Sequence, residues 1–220
     1  MRSLRNIRMW FITVPRFLFY NSFEALEAKK TDTMKKLISI VMLLAVTAAL
    51  HAQKSVTQFL GIPVDGTKSE MIRKLKAKGF ESTSYKKDLL EGEFNGQEVN
   101  VSIGTNNNIV YRIFIFDANS TNEAQIKIRF NNLCRQFENN PKYFSPGDQT
   151  IPEDEDISYE MSVNAKTYQA AFLQTNPNDA IGSDDMINRQ VWFMIIESYG
   201  GYRIAMYYDN EYNRADGSGL

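Results

Sequence analysis

Asn95-Gly96 stands between two runs in which apolar and polar residues alternate, 89–94 and 97–103. That dipeptide is the preferred two-residue turn of a tight β-hairpin, because both of its residues tolerate the positive φ the turn demands. Pairing through it is therefore fixed in register. Gly92 falls opposite Val99 and Leu90 opposite Val101, so one face of the hairpin is apolar throughout. Glu98, Asn100 and Ser102 point the other way, towards water. The cluster Gly104 to Asn108 then turns the chain into residues 109–116, which are apolar on both faces and so belong at the centre of a sheet.

A helix precedes this meander. Thr67 and Glu70 have the spacing of a capping box, in which each side chain satisfies an orphaned amide at the helix start. Met71, Ile72 and Leu75 form its apolar stripe, and Arg73, Lys74, Lys76 and Lys78 its wet face. Gly79 suits the left-handed residue just past the end, with Phe80 folding back towards Leu75. A second helix is expected over 121–139, with Ser120 and Glu123 as its capping box. Ile126, Phe130, Leu133, Cys134 and Phe137 recur on one face of it, and Asn140-Pro141 stops it.

Beyond a loop rich in Pro, Gly and acid, residues 157–163 and 167–173 read as two strands, with Tyr159, Met161 and Val163 facing Phe172, Ala170 and Tyr168. A long polar loop at 174–188 leads to a last hairpin, 190–198 and 202–208, closed near Gly200-Gly201, and residues from about 209 onward read as a frayed tail. The expected fold class is α+β: an antiparallel sheet of six to seven strands in the order α-β-β-β-α-β-β-β-β, both helices on one face. Helix then meander occurs twice, the pattern of an internal duplication.

The N-terminal part of the chain reads differently. Met34, Lys35 and Lys36 make a short basic start, Leu37 to Leu50 is an uninterrupted run of 14 residues without charge, and His51-Ala52-Gln53 follows. This is the layout of a secretory signal peptide at 34–52, too short for a spanning helix of roughly 20 residues. The expected cut follows Ala52, with a cut after Ala49 as the alternative. Residues 1–33, where Arg2, Arg5, Arg8 and Arg16 interleave with aromatics, read as a start codon placed too early; the alternative is a membrane-surface helix, which Pro15 interrupts. A single domain is expected at 53–220, in the periplasm or outside the cell, with no stable membrane span after cleavage.

Composition then excludes whole classes of function. Of 25 Lys+Arg and 26 Asp+Glu, 8 and 3 lie in the first 52 residues, leaving 17 basic and 23 acidic residues in the domain. A net charge of −6 argues against nucleic acid, whose phosphates demand a basic surface. His51 is the only histidine and Cys134 the only cysteine, so residues 53–220 cannot assemble a Ser-His-Asp or Cys-His nucleophile, a His-ligated zinc or an internal disulfide. No cofactor motif is present. Glu153-Asp154-Glu155-Asp156 is the densest charge run, but it lacks the spacing and interior Gly of a calcium loop and reads as a solvated acidic loop. A glycosidase needs only two carboxylates, for which Glu160 and Glu197 are the strand-borne candidates.

Three blocks carry a resemblance: Phe59-Leu60-Gly61-Ile62-Pro63-Val64-Asp65-Gly66-Thr67 with Lys74-Leu75-Lys76-Ala77-Lys78-Gly79-Phe80, Arg129-Phe130-Asn131-Asn132-Leu133-Cys134, and Tyr207-Tyr208-Asp209-Asn210-Glu211-Tyr212. They resemble a family of uncharacterised exported proteins of Bacteroides-type bacteria, which implies an envelope or secreted location and carries over no site residues. Helix followed by antiparallel strands is also similar to beta-lactamase-inhibitor-like folds, a likeness of fold alone.

The last hairpin holds the candidate site. One of its faces carries Phe193, Ile195, Tyr199, Tyr202, Ile204, Met206 and Tyr208, and the other Trp192, Met194, Ile196, Arg203, Ala205 and Tyr207. Two helices can cover only one of them. Trp, Tyr and Arg are the usual anchors of interfaces, so Trp192, Met194, Arg203 and Tyr207 are expected to bind a partner, an envelope or extracellular protein or a glycan. The expectation is a non-catalytic binding module; the alternative is a small carboxylate-dependent hydrolase acting on glycans.

Overall fold

The computed structural model describes residues 55–84, 86, 88–176, 184–215 and 217. The segments read as an early start and a signal peptide, 1–33 and 34–52, lie outside the described residues, as does Gln53. Among the described residues no helix is long and apolar enough to cross a membrane.

The chain opens with two short strands, β1 (Gln58–Phe59) and β2 (Ile62–Pro63), paired with each other. Helix α1 (Lys68–Lys76) follows, and the Thr67–Glu70 capping box forms as the spacing requires. Met71 and Leu75 are its buried stripe. Gly79 has φ +97°, and the Phe80 amide donates back to the Leu75 carbonyl at 3.2 Å. Next come β3 (Glu81–Ser82), β4 (Leu89–Phe94), β5 (Gln97–Asn106) and β6 (Ile109–Asp117). Gly92 pairs with Val99 and Leu90 with Val101, through a turn in which Asn95 and Gly96 both have positive φ. Gly92 has a second task, since a Cβ there would come within 2.7 Å of the buried Phe80 ring.

Helix α2 (Glu123–Glu138) buries Ile126, Phe130, Leu133, Cys134 and Phe137, the stripe read from the sequence. Its start differs from expectation. Asn122 is the N-cap, accepting from the Gln125 amide at 2.9 Å, so Ser120 and Glu123 form no capping box. The Glu123 carboxylate is spent on a neighbour, accepting from the Ile157 amide at 2.8 Å.

That neighbour is the largest correction. Residues 157–163, expected as a strand, are helix α3 (Ile157–Val163), capped by Asp156 through the Tyr159 amide. The apolar alternation there was misleading. Ile157 and Met161, four apart, turn to the core, whereas Tyr159 and Val163 lie exposed and face no strand. The remaining elements are β7 (Tyr143–Phe144), ahead of α3, and β8 (Gln169–Gln174), α4 (Asp184–Ile187), β9 (Gln190–Ser198) and β10 (Gly201–Asp209) after it. Helix α4 interrupts the loop read as unstructured at 174–188; residues 177–183 lie outside the described residues.

The strands build one antiparallel sheet of eight, in the order β3-β4-β5-β6-β10-β9-β8-β7. Among the described residues, eight strands in this sheet and four helices stand where six to seven strands and two helices were expected. The order has a plain logic: each half of the chain contributes four strands, and the last strands of the halves, β6 and β10, pair at the centre. Helix α1 lies over β5 and β6, and α2 over β9 and β10. Both outer strands, β3 and β7, are two residues long, which leaves little edge open to further pairing. One core cluster gathers the buried side chains of α1, α2 and α3 with Leu90, Val101, Ile113, Phe172, Phe193 and Ile204, all from one face of the sheet.

Three side-chain amides act as surrogate strands. Asn131 donates to the Ile151 carbonyl and accepts from its amide; Gln149 does the same for Ala171, and Gln174 for Gln58. Together they fasten the 145–156 loop and the N-terminal hairpin to the body.

Two turns move from their expected places. Strand β5 continues through Asn106, and the turn is Asn107-Asn108; the last turn is Tyr199-Gly200, with positive φ at all four residues. Gly201 is instead the first residue of β10, where a Cβ would meet the Thr121 carbonyl oxygen at 2.8 Å. The tail expected to fray from 209 is ordered through its first residues. Asp209 and Asn210 are both 1% exposed, Asn210 donates to the Val64 carbonyl, and a 3-10 turn follows at Glu211–Asn213.

Candidate functional site

The face of the sheet opposite α1, α2 and α3 carries the four residues singled out from the sequence. Tyr207 of β10 pairs directly with Trp192 of β9, Ala205 with Met194, and Arg203 with Ile196. The last turn lies one residue earlier than expected, which shifts the pairing by two residues. A shift of two preserves which side chains share a face, so Trp192, Met194, Arg203 and Tyr207 stay together. All four are half-buried.

The sequence left out their neighbours across the central seam. Strand β6 pairs with β10 so that Phe114 lies opposite Tyr207, Phe116 opposite Ala205, and Arg112 opposite Asp209. The result is a ladder of rings. Trp192 and Tyr207 stack at 3.9 Å between centroids with planes 10° apart, Tyr207 and Phe114 at 4.8 Å and 24°, and Phe114 continues to Phe116 at 5.2 Å. Those separations are close to the spacing of neighbouring strands. The rings of Trp192, Tyr207 and Phe114 therefore lie face against face across the strands, with their edges directed away from the sheet.

One ion pair holds the ladder upright. Arg112 donates through Nε to Asp209 Oδ1 at 2.6 Å and through Nη2 to Oδ2 at 2.7 Å, a two-pronged fork. The Trp192 indole Nε1 donates to the same Oδ2 at 2.9 Å, so the carboxylate fixes the ring that begins the ladder. Arg112 also sits over Tyr207, 4.9 Å from its centroid, and 5.7 Å from that of Trp192. Hydrogen bonding to Asp209 raises the Arg112 guanidinium above its already high range, and burial pushes the Tyr207 phenol up. Asp209 was invisible as a site residue because it was assigned to the tail. The alternation of Arg112, Phe114 and Phe116 along β6 was the signal that could have found the others.

Arg203 differs from Arg112. Its guanidinium carbon lies 5.9 Å from the exposed Tyr199 ring, and its Nε is buried without a hydrogen-bond partner. It is a cation on this face that no carboxylate neutralises among the described residues.

The other candidates have local employment. Glu160, now on α3, accepts from Asn164, and Glu197 is exposed near the tip of the β9–β10 hairpin. In the acidic run, Glu155 accepts from Lys166 and from the Tyr168 hydroxyl, and these bonds hold its carboxyl below the usual range. Lys127 ties down the Glu153 and Glu155 carbonyls. No group of three or more His, Cys, Asp or Glu side chains is placed to hold a metal among the described residues. Cys134 is fully buried, and burial pushes its thiol up to about 12. No protein-family model matches the chain, and no curated protein or solved structure proves similar to it.

Proposed function

We propose that this protein is an exported, non-catalytic binding module that docks an acidic segment of a protein partner against the helix-free face of its sheet. The observation that carries the reading is the Trp192–Tyr207–Phe114 stack, held by the Arg112–Asp209 pair. Rigid aromatics beside an arginine are the make-up of interface hot spots, because little side-chain freedom is left to lose on binding. The orientation of the rings favours protein over glycan on this face. A sugar ring needs an exposed aromatic face to lie on, and here the faces are used against one another. Arg203 supplies the polarity: its half-buried guanidinium, paired with no carboxylate among the described residues, gains from a partner's carboxylate. Export rests on the basic and apolar layout of residues 34–52 and on the family resemblance. Against a hydrolase, the domain has no His, its one thiol is strongly disfavoured as a thiolate, and Glu160 and Glu197 sit on separate elements, α3 and β9.

Arg203→Glu tests the reading, since it reverses the free charge without touching the ladder. It should lower partner recovery about tenfold or more, with the unfolding midpoint unchanged. A photo-crosslinker at Met194 should capture the same partner in cells, while one at the exposed Ile128 on α2 should not. Equal capture from both positions, or full recovery with Arg203→Glu, would remove the docking face. The secreted or periplasmic product should begin at Gln53 by intact mass; a product retaining 34–52 would remove export.

A further inference from the structure

A second concavity lies on the helix side of the sheet and shares no residue with the aromatic ladder. It is a cleft of about 920 Å³ bounded by the β1–β2 hairpin, the C-terminal end of α2, and the ends of β4, β8 and β10. That volume falls within the range of sites that enclose a small ligand. The floor is aromatic, with Phe94, Tyr143 and Tyr208.

The rim is made of amides whose hydrogen-bonding capacity is only half used. Asn95 donates from Nδ2 to Gln136 Oε1 at 2.8 Å, which leaves the Asn95 oxygen and the Gln136 nitrogen without protein partners. Asn140 accepts from the Lys142 amide at 3.1 Å through Oδ1, leaving its nitrogen free. The side-chain amide of Gln58 is exposed and has no protein partner. Gln174 is different, its amide being consumed by the Gln58 backbone and the Tyr143 hydroxyl, and it forms a rigid wall.

Exposed charge is balanced. Among the described residues the cleft is lined by one acid, Glu93, and one exposed cation, Lys142, while the buried Arg189 guanidinium is directed at the Gln174 and Ser55 carbonyls. An anionic ligand would meet Glu93 as well as Lys142, so neither sign of charge is favoured. A purely apolar ligand would leave the free amide donors and acceptors dry and unpaired, at a cost. What fits is a ligand whose polar atoms both donate and accept, and which also offers apolar C–H surface to rings. A hydroxyl does the first, and a pyranose carries several beside apolar ring faces.

We infer that this cleft binds a short, uncharged oligosaccharide, held by Asn95, Gln136 and Asn140 over the aromatic floor. One carboxylate, Glu93, is too few for hydrolysis by an acid and base pair, so the sugar is bound and released intact. This site is independent of the docking face, and either can fail alone.

The test is titration calorimetry of the purified protein with neutral trisaccharides of glucose, mannose and N-acetylglucosamine, beside trigalacturonate, a neutral tripeptide and a short-chain fatty acid. At least one neutral trisaccharide should bind at micromolar to millimolar concentration. Gln136→Ala and Asn140→Ala, both at the rim, should each weaken it about fivefold or more with an unchanged unfolding midpoint. Arg203→Glu should leave it unchanged. No binding by any neutral sugar, binding indifferent to both rim variants, or preference for the acid, the peptide or the fatty acid would overturn the inference.

Discussion

Cys134 shows how far a single residue can be read from spacing alone. Its place on the apolar stripe of α2 predicts a buried, inert thiol, and it is fully buried with its Sγ 3.6 Å from the Gln149 carbonyl. With its thiol pushed up to about 12 by burial, the thiolate is scarce at any pH at which the protein works. A bulky thiol reagent at pH 8 should therefore label it only after denaturant unfolds the chain; rapid labelling of the native protein would mean that the α2 stripe faces outward. Arg203 teaches the opposite lesson. Spacing placed it on the correct face, but nothing in the sequence distinguishes it from Arg112 on the same face, and only the partner each one finds does so.

Elements were legible where their signals close within a few residues. The Thr67–Glu70 box and the Asn95-Gly96 turn are satisfied by neighbours in sequence, the α2 stripe is set by the helical period of its own residues, and each forms. Residues 157–163 failed because seven residues can show alternation and helical spacing together, and the Asp156 cap with the Glu123 carboxylate decided for helix. The amide clamps carry no sequence signature at all, since Gln149 meets Ala171 only when loop and strand are already side by side. Gln149→Ala removes both bonds and exposes the edge of β8. It should cost about 1–3 kcal/mol in urea unfolding, the penalty of backbone groups left without partners. No change in midpoint would show that water serves Ala171 equally well.

At the scale of the molecule, the β6–β10 seam joins two four-strand halves, and the Arg112–Asp209 fork spans it on the helix-free face. The Asp209 side chain is 2% exposed and that of Arg112 22%. Deleting one partner of such a pair leaves a poorly solvated charge, worth about 3–5 kcal/mol. Asp209→Ala should lose roughly that much stability and free the Trp192 ring, seen as a red-shifted and more quenchable emission from the only Trp in residues 53–220. Arg112→Met with Asp209→Leu should recover much of the stability without restoring Trp192, whose indole still lacks its acceptor. A double variant no better than the single one would show that the pair contributes little as a pair.

The sequence by itself determined the antiparallel class, the two long amphipathic helices, the register of the β4–β5 hairpin and the grouping of Trp192, Met194, Arg203 and Tyr207 on one face. These follow from periods of 2 and 3.6 and from turn chemistry, all of which act over a few residues. Even a misplaced last turn left that grouping intact, because a two-residue shift keeps the faces. Tertiary structure decided the rest: that β6 meets β10, that Asp209 is a keystone instead of the start of a frayed end, and that residues 157–163 coil. Arg112 and Asp209 are 97 residues apart in the chain. Which distant strands pair is settled by the burial of the whole core at once, and no local pattern records it.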